Sequence, residues 1–176
     1  ERKGFHRVIA CMPELLNDFP SLQYLAVGSG GPEGDFTASL KAQVRELELE
    51  GRVHFLGALP PDEVRRAVAA ANVSVLATRN EGWANVILEA LACGLPVVAT
   101  DVGGNSEVIC RDELGIIVPF GDHGALSLAL SDALRRSWDR ASIRRYAEEN
   151  DWNTRVPILV NQFRGIAASA AASDHA

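Results

Sequence analysis

Cysteine is scarce in this chain. Only Cys11, Cys93 and Cys110 occur in 176 residues, far apart and each among apolar neighbours. Such spacing makes neither a disulfide framework nor a metal knot, and three buried thiols in a reducing compartment are expected. Positive charge is in short supply as well. Lys and Arg number 17 against 23 Asp and Glu, a formal net charge of −6. That balance argues against a general nucleic-acid or anionic-membrane surface, while leaving room for a local basic pocket. No apolar run nears membrane-spanning length, and the opening ERKGFHRVIACM lacks the layout of a signal peptide. His6, His54, His123 and His175 share no ligand spacing, no Asp-x-Asp occurs, and no Ser, Cys and His arrangement points to a nucleophile. Internal repeats are lacking too.

What is present is ordinary globular sequence, 47% hydrophobic and 23% charged. Its length favours one domain with a sizeable core. Helix and strand signals alternate. Residues 4–19 have helical periodicity stopped by Pro20, and LQYLAVG is a short apolar strand running into GSGGPEGD. An amphipathic helix over residues 36–50 is closed by Gly51, and RVHFLG, VSVLAT, PVVAT and GIIVP read as further strands. Helices are expected after Pro61, over residues 84–93, after Asp122 as N-cap, around Ile143, and over 153–166, with Pro157 starting or kinking the last. The tail AASAAASDHA, residues 167–176, is expected to be disordered. Continuous apolar strands alternating with helices predict a three-layer α/β/α sandwich with a parallel sheet of about six strands. Such sheets bind ligands beyond the carboxyl ends of their strands, here the loops after Gly28, Gly57, Ala77 and Thr100.

One of those loops leads into EGWANVILEALACG, residues 81–94. The segment is apolar on nearly all sides except for Glu89, so a buried helix with an embedded carboxylate is expected. Glu81 and Glu89 form an E-x7-E pair, and helical spacing places Asn85 on the face of Glu89. The unpaired N–H groups of the first turn, near Gly82 to Asn85, are a ready anion site, and Gly82 permits a close approach. Two readings stay open. Glu89 meets the hydroxyls of a sugar diol, or it pairs with an internal Arg or backbone N–H and holds the core together.

EGWANVILEALACGLPVVATDVGGNSEVI resembles the signature of the group 1 family (family four) of retaining GT-B glycosyltransferases, which use nucleotide-sugar donors. KGFHRVIACMPELL, LQYLAVGSG, VHFLGALPPDEV, GIIVPFGD and the Trp152 region are similar to further family segments, in the family's order. The resemblance implies that residues 1–166 are the nucleotide-sugar-binding, C-terminal half of a GT-B fold. By implication Glu89 holds the ribose hydroxyls, Glu81 contacts the transferred sugar, and Lys3 neutralises the diphosphate. Gly82, Trp83, Ala84 and Asn85 would face diphosphate and sugar, Leu59 and Pro60 would bracket the base, and Gly28 and Ser29 would approach the nucleotide. The family's arginine upstream of lysine has no counterpart here, and neither has the acceptor-binding N-terminal domain, so a fragment of a longer enzyme, inactive alone, is expected. The donor is a substrate. No cofactor, metal or nucleic acid is implied, and a cytoplasmic location is expected, at the inner face of the membrane where the N-terminal domain meets one.

Plainer readings stand beside these. Lys3 is also what a solvated helix start looks like. GSGGPEG contains G-x-G without the third glycine and reads as a tight loop. Gly103 and Gly104 predict a turn, with Asn105 or Ser106 capping a short helix. Arg65, Arg66, Arg135 and Arg136 read as solvated helix faces. Alternative functions are a sugar-nucleotide epimerase of the same architecture and a non-catalytic nucleotide-binding module.

Overall fold

The computed structural model describes residues 2–30 and 34–173. Helix α1 (Phe5–Asp18) leads to strand β1 (Tyr24–Val27), helix α2 (Thr37–Glu46) to β2 (Val53–Gly57), and α3 (Pro61–Ala70) to β3 (Ser74–Leu76). Then follow α4 (Asn85–Ala92), β4 (Val97–Thr100), the short α5 (Asn105–Val108) and β5 (Gly115–Val118). Three helices close the chain: α6 (His123–Arg135), α7 (Arg140–Glu149) and α8 (Trp152–Ser173). All pairings are parallel, as the strand–helix alternation predicts. Among the described residues there are five strands rather than about six, in two pieces: β1 with β2, and β3–β4–β5.

Three clusters define the layers. On one face, Val8, Cys11 and Leu15 of α1 meet Leu126 and Leu130 of α6 over Val75, Val98 and Val118. On that same face, Ile9 and Met12 of α1 join Val44 of α2 over Tyr24, Val53 and Phe55. On the other face, Ile87 and Leu91 of α4 and Ile143 of α7 pack with Leu76, Val97 and Ala99. Successive β4 residues thus feed opposite clusters, and all four are buried. A strand covered on both faces is continuously apolar for that reason.

Several boundaries move. Glu48 takes φ 55, a left-handed turn that ends α2 four residues before the expected limit and swings Leu49 into the core. Asp122 caps α6 as expected, its Oδ1 accepting from Ala125 N–H at 2.8 Å. Pro157 lies inside α8. That helix runs on through Ser173 where a frayed tail from residue 167 is expected, because the segment is rich in alanine, the strongest helix former. Residues 174–176, with His175, lie outside the described residues. Over residues 152–166 of α8 an apolar side is uncovered, with Trp152 76% and Phe163 66% exposed. The cysteine expectation is corrected: only Cys11 is buried, Cys93 is half-buried, and Cys110 stands exposed in the turn after α5.

Candidate functional site

The loops beyond β3 and β4 are tied together by two buried hydroxyls that nothing in the sequence singles out and by the amide of Asn105, expected instead as a helix cap. Thr78 Oγ1 shares its hydrogen between the carbonyls of Arg2 at 2.9 Å and Asn80 at 3.2 Å. Arg79 N–H also donates to Arg2 C=O, at 2.8 Å. Thr100 Oγ1 donates to Thr78 C=O at 2.7 Å, and Asn105 Nδ2 to Thr100 C=O at 3.0 Å. Thr78, Thr100 and Asn105 are all buried, where each satisfied bond is worth about 1 kcal/mol net. A threonine after an apolar strand is common, which is why the sequence gives no warning of this chain.

Two glycine contacts fix the geometry further. Gly4, at φ +80, crosses so near β3 that an added Cβ would lie 1.8 Å from Ala77 O. Gly103, at φ +54, would place a Cβ 1.8 Å from Glu81 O, and Gly104 N–H donates to Gly82 C=O at 3.0 Å. The Gly103–Gly104 turn therefore braces the loop that carries Glu81. It is not a side-chain cap: Gly104 is the N-cap of α5 and makes no side-chain bond, while Asn105 points back to Thr100.

This scaffold brings Lys3 and Glu81 into an ion pair across 78 residues of sequence. Lys3 is 43% exposed and Glu81 11%. Lys3 reaches solvent while the Glu81 carboxylate is mostly enclosed, so a ligand that takes Lys3 must offer Glu81 hydrogen-bond donors in exchange.

Glu89 is not where the sequence placed it. α4 buries Ile87, Ala90 and Leu91 but exposes Asn85, Val86 and Glu89. The helix is amphipathic, with one valine and small residues disguising its outer face. Among the described residues Glu89 has no hydrogen-bonding or ionic side-chain partner, which removes the internal-arginine reading. Asn85 shares its face, as helical spacing requires. At the start of α4, Ala84 is buried and offers no side-chain cap. Ile87 N–H bonds to Ala84 C=O at 3.0 Å. The N–H groups of Asn85 and Val86 have no acceptor among the described residues. Gly82 is open, since a Cβ there would meet nothing within 4 Å, and Trp83 stands exposed beside it.

Beside Lys3 opens a cleft of about 410 Å³, lined by Lys3, Gly28, Ser29, Phe36, Leu40 and Phe55 among others. Gly28, at φ +135, turns the chain out of β1 and bonds N–H to Gly57 C=O at 2.8 Å. Lys3 thus both lines this cleft and pairs with the Glu81 loop. Leu59 is half-buried and Pro60 caps α3. Neither they, nor residues 82–85, nor Glu89 line the cleft.

A second polar cluster lies between α1 and α6. Cys11 Sγ is 3.6 Å from His123 Nδ1, His123 Nε2 is 3.3 Å from Glu14 Oε1, and Ser127 donates to Glu14 Oε2 at 2.5 Å. The order of atoms is that of a nucleophilic triad, but burial, aided by Glu14, pushes the thiol up to about 11. A thiol held protonated is a poor nucleophile, although the sequence shows no sign that these three residues meet.

Comparisons with known proteins point one way. Residues 1–150 match the family described as "Glycosyl transferases group 1". The phosphatidyl-myo-inositol mannosyltransferase of Mycobacterium leprae is 31% identical over 179 residues, covering 96% of this chain and 44% of that protein. The GDP-mannose-dependent alpha-(1-6)-phosphatidylinositol monomannoside mannosyltransferase of Mycolicibacterium smegmatis is 32% identical over 176 residues, covering 93% and 45%. Among solved structures, sucrose-phosphate synthase from Thermosynechococcus elongatus superposes with TM-score 0.74 at 29% identity, covering 96% of this chain and 43% of that one. Anabaena HepE in complex with UDP and glucose gives 0.76 at 25%, covering 96% and 45%. The chain spans less than half the length of each of these proteins.

Proposed function

The chain belongs to the group 1 glycosyl transferases, and from that premise we propose that it is the donor-binding half of a retaining enzyme. That enzyme moves a sugar from a nucleoside diphosphate to an acceptor hydroxyl without a divalent metal. The observation that carries the reading is the meeting of Lys3 and Glu81 beside the uncapped start of α4. A nucleoside-diphosphate hexose fits this arrangement, and relatives named for GDP-mannose or solved with UDP and glucose support that donor class.

On binding, the diphosphate takes Lys3 from Glu81 and seats against the free N–H groups of Asn85 and Val86. Glu81, released, accepts hydroxyl hydrogens of the sugar, with the Gly82–Trp83–Ala84 backbone alongside. Glu89, one helical turn from Asn85, accepts both ribose hydroxyls. Gly28 and Ser29 flank the nucleotide, and Leu59 and Pro60 flank the base. As the glycosidic bond breaks, negative charge grows on the leaving diphosphate. Fixed positive groups already aimed at it stabilise that charge more than they stabilise the substrate. The acceptor is brought by another part of the enzyme.

Calorimetric titration with UDP, GDP and ADP tests the reading. One of them binds the wild-type chain, and Lys3→Ala weakens it by about tenfold, the scale of one lost charge-assisted hydrogen bond. No binding of any of the three to a folded chain would sink the proposal.

A further inference from the structure

One buried acceptor in this fold has no donor. Asn105 is fully enclosed. Its Nδ2 donates to Thr100 C=O at 3.0 Å, its own C=O accepts from Ile109 N–H at 2.9 Å, and its N–H reaches Val102 C=O at 3.3 Å. Oδ1 is left over, and among the described residues it is the sole buried side-chain nitrogen or oxygen without a partner. Turning the amide over gives no relief, since Oδ1 would then face the Thr100 carbonyl, acceptor against acceptor. Buried polar groups are nearly always paired, so such an atom marks a place where a donor arrives.

The strand ends beside Asn105 have no donor to give. The hydroxyls of Thr78 and Thr100 bond to backbone carbonyls. The N–H groups of Asp101, Val102 and Gly104 go to the carbonyls of Val118, Thr100 and Gly82. The element braced against this turn is the loop of residues 81–84, and there the Glu81–Gly82 peptide presents the wrong end. Glu81 C=O lies so near Gly103 that a Cβ on that glycine would be 1.8 Å from it. No described group donates to this carbonyl. The N–H and C=O of one peptide point in opposite directions. Gly82 N–H therefore points away from the turn, and it has no acceptor among the described residues. Two acceptors, Glu81 C=O and Asn105 Oδ1, thus stand at one turn while a free donor on the same peptide faces outward.

Rotating that single peptide by about half a turn relieves both ends, and glycine is the residue that permits it. A Cβ at Gly82 would meet nothing within 4 Å, so the rotation has room. At Gly103, where space is tightest, the smaller N–H replaces a carbonyl oxygen. No hydrogen bond is broken, because Gly82 C=O belongs to the next peptide and keeps Gly104 N–H. We infer that Asn105 is a positioning residue of the donor site. Its Oδ1 receives Gly82 N–H, and Glu81 C=O is thereby turned outward, beside the Glu81 carboxylate, as a second acceptor for a hydroxyl of the transferred sugar. The inference rests on the proposed donor site and adds to it a determinant of sugar choice. A polar group that needs a partner disfavours a sugar lacking the matching hydroxyl.

The test is amide NMR on the isotope-labelled 176-residue chain. In the free wild type the Gly82 amide exchanges between two positions on the μs–ms timescale, read by relaxation dispersion. Asn105→Leu keeps the branched shape, removes the acceptor and abolishes that exchange. Asn105→Asp keeps an acceptor and retains it. A purely structural role would lower the melting temperature of both variants and leave the Gly82 motion alone. Saturation with UDP-glucose or GDP-mannose slows hydrogen exchange at Gly82 by at least about tenfold in the wild type, and not in Asn105→Leu. By calorimetry Asn105→Leu loses about tenfold in affinity for the nucleotide sugar, while affinity for UDP or GDP alone stays within about twofold. A Gly82 amide that is static and unprotected overturns the inference. So does exchange that survives in Asn105→Leu, and so do equal losses for nucleotide and nucleotide sugar. If neither nucleotide sugar binds, the proposed function falls, and the dispersion of the free chain decides this inference by itself. Should Asn105→Leu fail to fold, dispersion and protection in the wild type decide it.

Discussion

Glu89 shows how apolar neighbours in sequence can misstate a residue's environment. The run NVILEALA looks apolar on every side, yet Asn85, Val86 and Glu89 share one exposed face, with Val86 as the disguise. An exposed carboxylate without a partner contributes little to the fold, so Glu89→Ala leaves thermal stability within about 0.5 kcal/mol of wild type. Nucleoside diphosphate affinity, measured by calorimetry, falls by about tenfold or more as two ribose hydroxyls lose their acceptor. Unchanged affinity would remove Glu89 from the site. Gly103 predicts the opposite balance. A methyl group there collides with Glu81 O from a left-handed backbone, so Gly103→Ala lowers the melting temperature and shifts Glu81 away from Lys3. A crystal structure of the variant with the Lys3–Glu81 pair intact would contradict this. Both partners of that pair stand out in the sequence through a family resemblance, but their contact, and the Thr78–Thr100–Asn105 chain beneath it, join residues far apart along the chain. No local pattern encodes them.

Elements were more legible than their ends. The α6 cap at Asp122 follows from a local hydrogen bond, and local chemistry is what a sequence displays. The early end of α2 comes instead from Leu49 turning into the core, a tertiary demand that overrides propensity. The same distinction governs the thiols, whose apolar neighbours look alike in sequence. Cys11 lies between α1 and α6 and Cys110 in an outer turn, so a disulfide reagent at neutral pH labels Cys110 promptly and Cys11 only on unfolding. In the fold the Cys11 thiol is raised from 9.0 to about 11. Tyr24 is raised as well, by burial. Groups raised in this way support the fold fully below their unfolded values and lose that support as pH climbs through their folded ones. The melting temperature therefore declines from about pH 9 to about 11, and Cys11→Ala makes that decline shallower. An identical slope in the variant would show that the thiol takes no part.

At the scale of the whole molecule, alternation of apolar strands with helices announced a layered, parallel α/β architecture. The break in the sheet was hidden, because β1 and β3 each read as a normal strand and pairing is a long-range choice. The chain also spans under half the length of its relatives, so half of a reaction cleft is the expectation. Without an acceptor held in place, the positional advantage that drives group transfer is lost. The 176-residue chain is expected to bind nucleoside diphosphate but to show no sugar transfer in a radiolabelled-donor assay. On the proposed reading, in which Lys3 and the start of α4 supply the positive charge, excess EDTA is expected to leave the binding unchanged. A severe loss that magnesium or manganese restores would assign that task to an ion.

The bare apolar side of α8 carries over to the bench. Environment-sensitive dyes light up on exposed hydrocarbon, and native globular proteins normally offer them little. Here Trp152, Phe163 and Ile166 lie open along one helix, so the folded protein is expected to be bright with such a dye before any heating. A melting curve followed that way begins near its ceiling and conceals the transition. Ligand screens on this chain therefore call for calorimetry or intrinsic fluorescence, in which the indole of Trp83 at the mouth of α4 offers a signal of its own.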